Sequence, residues 1–166
     1  SWHNQIREFI NRNLRIIKYM LLANSLSKEF ADVKGELYYQ ISLEYVYSPD
    51  QRIAWLKTLF EHHIAESNFD DAAMCKIQIA SLICEYLVTV EAKFKGIPED
   101  PSVFAKIFPS IKEEKQFSTI WLEGNTVLST DFSEGGFLES LKSATENLKK
   151  ADLYEAAIDV NLILIK

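Results

Sequence analysis

Between Asp70 and Val90 the chain reads DDAAMCKIQIASLICEYLVTV, and in its second half polar side chains fall almost only at Gln78, Ser81, Glu85 and Thr89. Steps of three and four residues put those four on one narrow stripe of an α-helix. The rest of the circumference, carried by Ala72, Ala73, Met74, Cys75, Ile77, Ile79, Ala80, Leu82, Ile83, Cys84, Tyr86 and Leu87, is apolar and must be covered by neighbours. Such a helix belongs at the centre of an all-α array. Its length would also suit a bilayer span, but Lys76 and Glu85 would then sit in hydrocarbon at roughly 2.5 to 3.5 kcal/mol each. That reading is set aside, and no direct membrane insertion is expected.

The preceding helix has a clear start. In Ser48-Pro49-Asp50-Gln51 the serine suits an N-cap, proline suits the first helical position, and glutamine is placed to reach back to the cap. Leu56, Leu59, Phe60, His63 and Ile64 then form a core-facing stripe, widened by Trp55. The polar turn Ser67-Asn68-Phe69-Asp70 leads into the central helix, with Asn68 or Asp70 as its cap. The spacing predicts a helical hairpin of the tetratricopeptide kind over 49–90, with small alanines where the helices cross.

A chain of 166 residues that is 48 % apolar has material for one core, so a single domain is expected. The net charge of −6 provides no basic footprint, and nucleic acid is not an expected partner. Cys75 and Cys84 are separated by about 180° of rotation and roughly 13.5 Å of rise on one helix, so they share neither a disulfide nor a metal. Free buried thiols, with no signal peptide, favour the cytoplasm. The chain opens Ser-Trp-His and closes on Ile163-Leu164-Ile165-Lys166, and it reads as an excised part of a longer protein.

From Trp2 to about Phe30 a long helical pattern carries Ile6, Phe9, Ile10, Leu14, Ile17, Leu21 and Leu22 on one side, with Arg7, Arg12, Arg15 and Lys18 among the rest. A membrane-surface helix has this look. A first helix packed on its neighbours is preferred, because the tract lacks a sustained basic face. A second helix is expected over Val33 to Val46. The tract from Lys93 to Phe137, interrupted by Gly96, Pro98, Pro101, Pro109, Gly124, Gly135 and Gly136, reads as a long excursion that packs back on the helices, with short helices near 103–108 and 117–122. Phe137 to Lys150 and Leu153 to Lys166 then make a second hairpin. Ile64 to Met74 aligns on Leu148 to Ile158 without gaps, so the two hairpins are expected to stack as a short solenoid.

Catalytic chemistry finds no footing in these residues. Glu61, His62, His63 and Glu66 are metal-ligand types, but no third ligand stands at a matching position. Asp70 and Asp71 read as a cap and a first-turn acid favoured by the helix dipole. Gly135-Gly136 is too short and wrongly flanked to cradle phosphate, and reads as a flexible joint. Neither catalytic, cofactor nor metal residues are assigned.

The runs Ser48 to Leu56, Asn68 to Cys75 and Ile83 to Leu87, then Phe104 to Glu114, Phe132-Ser133-Glu134 and Ala151 to Glu155, resemble in order the SPDLRxTWL, EAAMC, IAEYL, FxxIxPNIxEE, YSE and AERYE elements of the DOCKER domain of DOCK-family guanine nucleotide exchange factors. The likeness covers about Leu37 to the end and lies nearest the zizimin-like and Zir-like branches. Lys76 and Ser110 depart from the pattern, and residues 115–130 match none of it.

The resemblance implies an all-helical first lobe that braces a GTPase-binding lobe. Exchange on a Rho-family GTPase such as Rac or Cdc42 would reside in later lobes, and the parent could be recruited to the membrane periphery. The rival is a tetratricopeptide-like peptide-binding module. The last helix, apolar nearly all round, favours the first reading. Some of Ile158, Val160, Leu162 and Leu164 are expected to form its contact with the partner lobe, and self-association into a homodimer at high concentration would follow from leaving them bare.

Overall fold

The structure, a computed structural model, describes residues 1–45, 48–90, 96–114 and 127–165. Helices run over Trp2–Ser25 (α1), Ala31–Glu44 (α2), Pro49–Ala65 (α3), Phe69–Thr89 (α4), Glu134–Lys150 (α5) and Tyr154–Ile165 (α6), with 3-10 turns at Lys28–Phe30, Pro101–Lys106 and Pro109–Glu114. Among the described residues there is no strand. The extensive helix–helix contacts join consecutive helices: α1 with α2, α2 with α3, and so on to α5 with α6. Among the described residues the fold is therefore a linear all-α array.

Its middle is α4, packed between α3 and α5. Ala72, Ala73, Ile77, Ala80, Ile83 and Cys84 are wholly enclosed, and the small alanines let neighbouring backbones approach. By length and composition α4 could cross a bilayer, but here it is the buried core helix. Even its polar stripe is covered at the start, since Gln78 and Ser81 are buried. Gln78 faces a cleft whose wall includes Phe108, from the returning excursion. Lys76 is buried too. Its stem lies in the core, while Nζ stands 4.6 Å from the Phe60 ring centre and 3.4 Å from the Glu139 carboxylate. A cation is accommodated there because aromatic face and carboxylate are both in reach.

The excursion does fold back. Phe104 packs edge-on to Phe137, and Phe132 edge-on to Tyr86. Asp50 of α3 accepts from the backbone N–H of Leu128 and Ser129 at 2.9 and 3.0 Å, and Lys57 holds both carboxylate oxygens of Asp131 at 2.7 Å. The short helix expected near 117–122 lies outside the described residues.

Several expectations are corrected. Helix α3 starts at Pro49, but the Ser48 side chain makes no cap hydrogen bond, and neither does that of Asn68 before α4. The Asp50 carboxylate serves a distant backbone, and the buried Arg52 donates through Nη1 to the Ser42 carbonyl at 2.8 Å, tying α2 to α3. Gly135 and Gly136 are not a flexible joint: they lie in the first turn of α5, where the Gly136 N–H donates to the Ser133 hydroxyl at 3.1 Å. The repeat register also shifts by one residue. Ser67 (φ 61°) and Asp152 (φ 59°) are the left-handed residues that close α3 and α5. Asn68 N–H donates to His63 O, as Leu153 N–H does to Leu148 O, so each hairpin turns on a Schellman motif. Asn68 thus corresponds to Leu153, whereas the gapless alignment pairs it with Asp152.

The largest correction concerns α1. Of this helix only Ile16 and Ala23 are buried, and the predicted core stripe is bare: Phe9 is 64 % exposed, Leu14 59 % and Leu21 66 %. The packed side is a different one, clamped by Arg15, whose Nε and Nη2 donate to the two Glu44 oxygens at 2.7 and 2.9 Å.

Candidate lobe-contact surface

Helix α6 has α5 as its extensive neighbour. Ala157, Val160 and Ile163, at steps of three, turn inward and join the core. Tyr154, Ile158, Leu162 and Ile165 fall four, four and three residues apart on the opposite side and are all more than half exposed. One neighbour covers one face of a helix, so a segment that is apolar nearly all round must leave an apolar stripe outside. Of the expected contact residues, Ile158 and Leu162 are on that stripe, Leu164 is half-buried against the core, and Val160 is enclosed. Tyr154 and Ile165 extend the stripe at either end, a placement that the i, i+4 spacing alone would have allowed.

The turn before α6 fixes its direction. Tyr154 donates its hydroxyl to Asp152 Oδ1 at 3.1 Å, and Lys150 Nζ lies 5.3 Å from the Phe69 ring centre, so the α5–α6 turn abuts the α3–α4 turn. The two hairpins are thereby stacked with their turns side by side.

A second feature is a cleft of roughly 350 Å³ between α2, α3 and α4, with Asp32, Glu36, Asp71 and His63 on its polar walls. The two histidines meet different partners. His62 Nε2 donates to the Ala31 carbonyl at 2.8 Å with its ring edge-on to Tyr38, whereas His63 Nδ1 faces Asp71 at 4.0 Å. Among the described residues no cluster of three or more metal-ligating side chains occurs. Cys75 lines the cleft, but burial pushes its thiol up to about 12, which leaves it a thiol at neutral pH. Burial likewise pushes Cys84 up to about 12, and its Sγ donates to the Pro98 carbonyl at 3.3 Å. The cleft has the charge to hold a cationic side chain and no activated nucleophile.

His63 makes stability depend on pH. Burial lowers its pKa below 6.5, against the opposing pull of the Asp71 carboxylate and with a smaller push from His62. The unfolded chain therefore takes up this proton before the folded one does. The contribution is whole above the ordinary histidine value and is lost as pH falls from there through the folded value. We expect the urea midpoint to be higher at pH 7.5 than at pH 5.5, and His63→Gln to shrink that difference. An identical difference in the variant would mean that another group carries it.

The described residues thus form an array of stacked helical hairpins with an apolar stripe on the outer face of α6. Its family follows from comparison: the family model described as DHR-2, Lobe A matches residues 36–166, and the chain belongs to that family. Dedicator of cytokinesis protein 8 of Mus musculus is 30% identical over 156 residues, covering 92% of this chain and 7% of the relative. Dedicator of cytokinesis protein 7 of Mus musculus is 29% identical over 160 residues, covering 89% of this chain and 7% of the relative. Dedicator of cytokinesis protein 9 of Mus musculus is 26% identical over 168 residues, covering 99% of this chain and 8% of the relative. The chain thus spans less than a tenth of the length of these relatives. No solved structure matches it.

Proposed function

We propose that this chain is the bracing first lobe of the exchange domain of a Rho-family guanine nucleotide exchange factor of the zizimin-like or Zir-like kind. The α6 stripe of Tyr154, Ile158, Leu162 and Ile165 seats against the lobe that follows, and that lobe and its successor release GDP from a Rac- or Cdc42-type GTPase in the cytoplasm. Membership of the DHR-2 lobe A family supports the setting, and the bare apolar stripe is the observation that carries the bracing role. The coupling is physical: each Å² of apolar surface covered stabilises the neighbour's folded state by roughly 25 cal/mol before ordering is subtracted.

The test is expression of the parent's later lobes with and without residues 1–166, followed by thermal melting and fluorescent GDP release. The joined protein should melt higher, Ile158→Asp with Leu162→Asp should remove that gain, and the 166-residue chain alone should leave GDP release at its basal rate. Equal melting of the two proteins sinks the bracing role. Exchange by this chain alone sinks the assignment of chemistry to the later lobes. A tetratricopeptide-like peptide module draws some support from the acidic cleft at Asp32, Glu36 and Asp71. It is the weaker reading, because a free-standing array closes on a polar outer face and α6 does not.

A further inference from the structure

The α1 end of the array lies before residue 36, where the family match begins, and the bracing role makes no use of it. Residues 1–11 are exposed throughout, so the first half of α1 stands clear of the body. At 3.6 residues per turn, Trp2, Ile6, Phe9, Ile10, Leu14, Ile17 and Leu21 occupy one sector of roughly 140°. All seven are exposed, from 37 % at Ile6 to 70 % at Trp2. The Arg15–Glu44 clamp and the buried Ile16 and Ala23 hold another side of the helix against α2, which turns this sector outward.

Charge says what covers it. Within α1 four cations (Arg7, Arg12, Arg15, Lys18) stand against the single acid Glu8, a net +3 in a chain whose total is −6, so the remaining residues carry −9. Arg7, Leu14 and Lys18 follow one another at steps of seven and four, so the two exposed cations run along the edge of the apolar sector. Cations at that edge can extend their stems over apolar surface and place their heads at phosphate level. An apolar face of aromatic and aliphatic residues, bordered by cations on a helix of low overall hydrophobicity, suits a helix lying in a membrane interface rather than crossing it.

We infer that α1 is a membrane-surface helix: its Trp2-to-Leu21 face lies in the interface of an anionic phospholipid bilayer, with Arg7 and Lys18 on the headgroups. The packing of α1 on α2 is kept, and the apolar sector expected to share in it is given to the bilayer instead. It is independent of the bracing role, since it uses the opposite end of the array.

The 166-residue chain should co-sediment with phosphatidylcholine vesicles containing phosphatidylserine and remain in the supernatant with phosphatidylcholine alone. Arg7→Gln and Lys18→Gln should each weaken binding about fivefold, and added salt should weaken it further. Phe9→Ser with Ile10→Ser, both at exposed positions, should abolish sedimentation while circular dichroism stays unchanged. Equal binding with and without phosphatidylserine, or binding indifferent to Phe9 and Ile10, overturns the inference. So does light scattering that shows a dimer dissolved by the same double substitution while vesicles capture nothing, which would give the face to a second copy of the chain.

Discussion

Ile83→Asp is expected to leave the chain unfolded at room temperature. Ile83 is wholly enclosed on α4 and belongs to the core cluster that gathers residues from α3, α4, the returning excursion, α5 and α6. An aspartate placed there would lose the burial of a full isoleucine, about 1.5 to 3 kcal/mol. It would also have to stay neutral or remain an unsolvated charge, which adds several kcal/mol. Against a total stability of about 5 to 15 kcal/mol, the sum removes most of what holds a domain of this size. Loss of the far-UV helical signal checks it. Ile83→Val, losing one methylene, should cost only about 0.5 to 1.5 kcal/mol and keep the fold. An aspartate variant that melts within a few degrees of wild type would disprove the central placement of α4.

Gly136→Ala should cost about 3 kcal/mol or more, although the helix it sits in would ordinarily prefer alanine. A Cβ at residue 136 would collide with the Asp131 carbonyl oxygen and stand 2.7 Å from its carbon and 2.9 Å from its Cα. Those are backbone atoms and cannot swing aside. Asp131 is moreover held by Lys57 and by the Ser129 hydroxyl: burial pushes its carboxyl up, but those hydrogen bonds together with the nearby lysine charges keep it below the usual range. Relief therefore means opening the turn that begins α5 and breaking the bond from Gly136 N–H to Ser133. Gly135 is the control. Its Cβ would meet only the Ser133 hydroxyl at 3.9 Å, so Gly135→Ala should be neutral or stabilise by about 0.5 to 1 kcal/mol. Urea denaturation of the two variants separates them, and equal midpoints would mean that the close approach at Asp131 is absent.

Helix periods and hairpins were legible in the residue pattern, because they rest on interactions a few residues apart, whereas some boundaries moved: the first helix ends at Ser25 rather than near Phe30, and α5 begins at Glu134 rather than Phe137. The stripe Leu56, Leu59 and the apolar run of α4 announced two core helices. Pro49 announced where α3 starts, and twin alanines with polar turns announced the second hairpin. The order of motifs announced the family. The bare apolar stripe on α6 was half legible: an excess of apolar residues shows that some face must be bare, but Val160 faces inward and Tyr154 outward only because α5 lies on one particular side.

Everything that depends on a distant partner waited for the tertiary structure. Asp50 reaches Leu128 and Ser129, so the start of α3 is pinned from far along the chain while Ser48 caps nothing. Lys76 tolerates burial because Phe60 and Glu139 meet it from two other helices. Gly136 is required by the backbone of Asp131, which no local rule for glycine reveals. The α1 stripe is the clearest case. Periodicity records which side of a helix is apolar, but which side a neighbour covers is settled by tertiary packing, and α2 meets α1 on the side of Ile16 and Ala23.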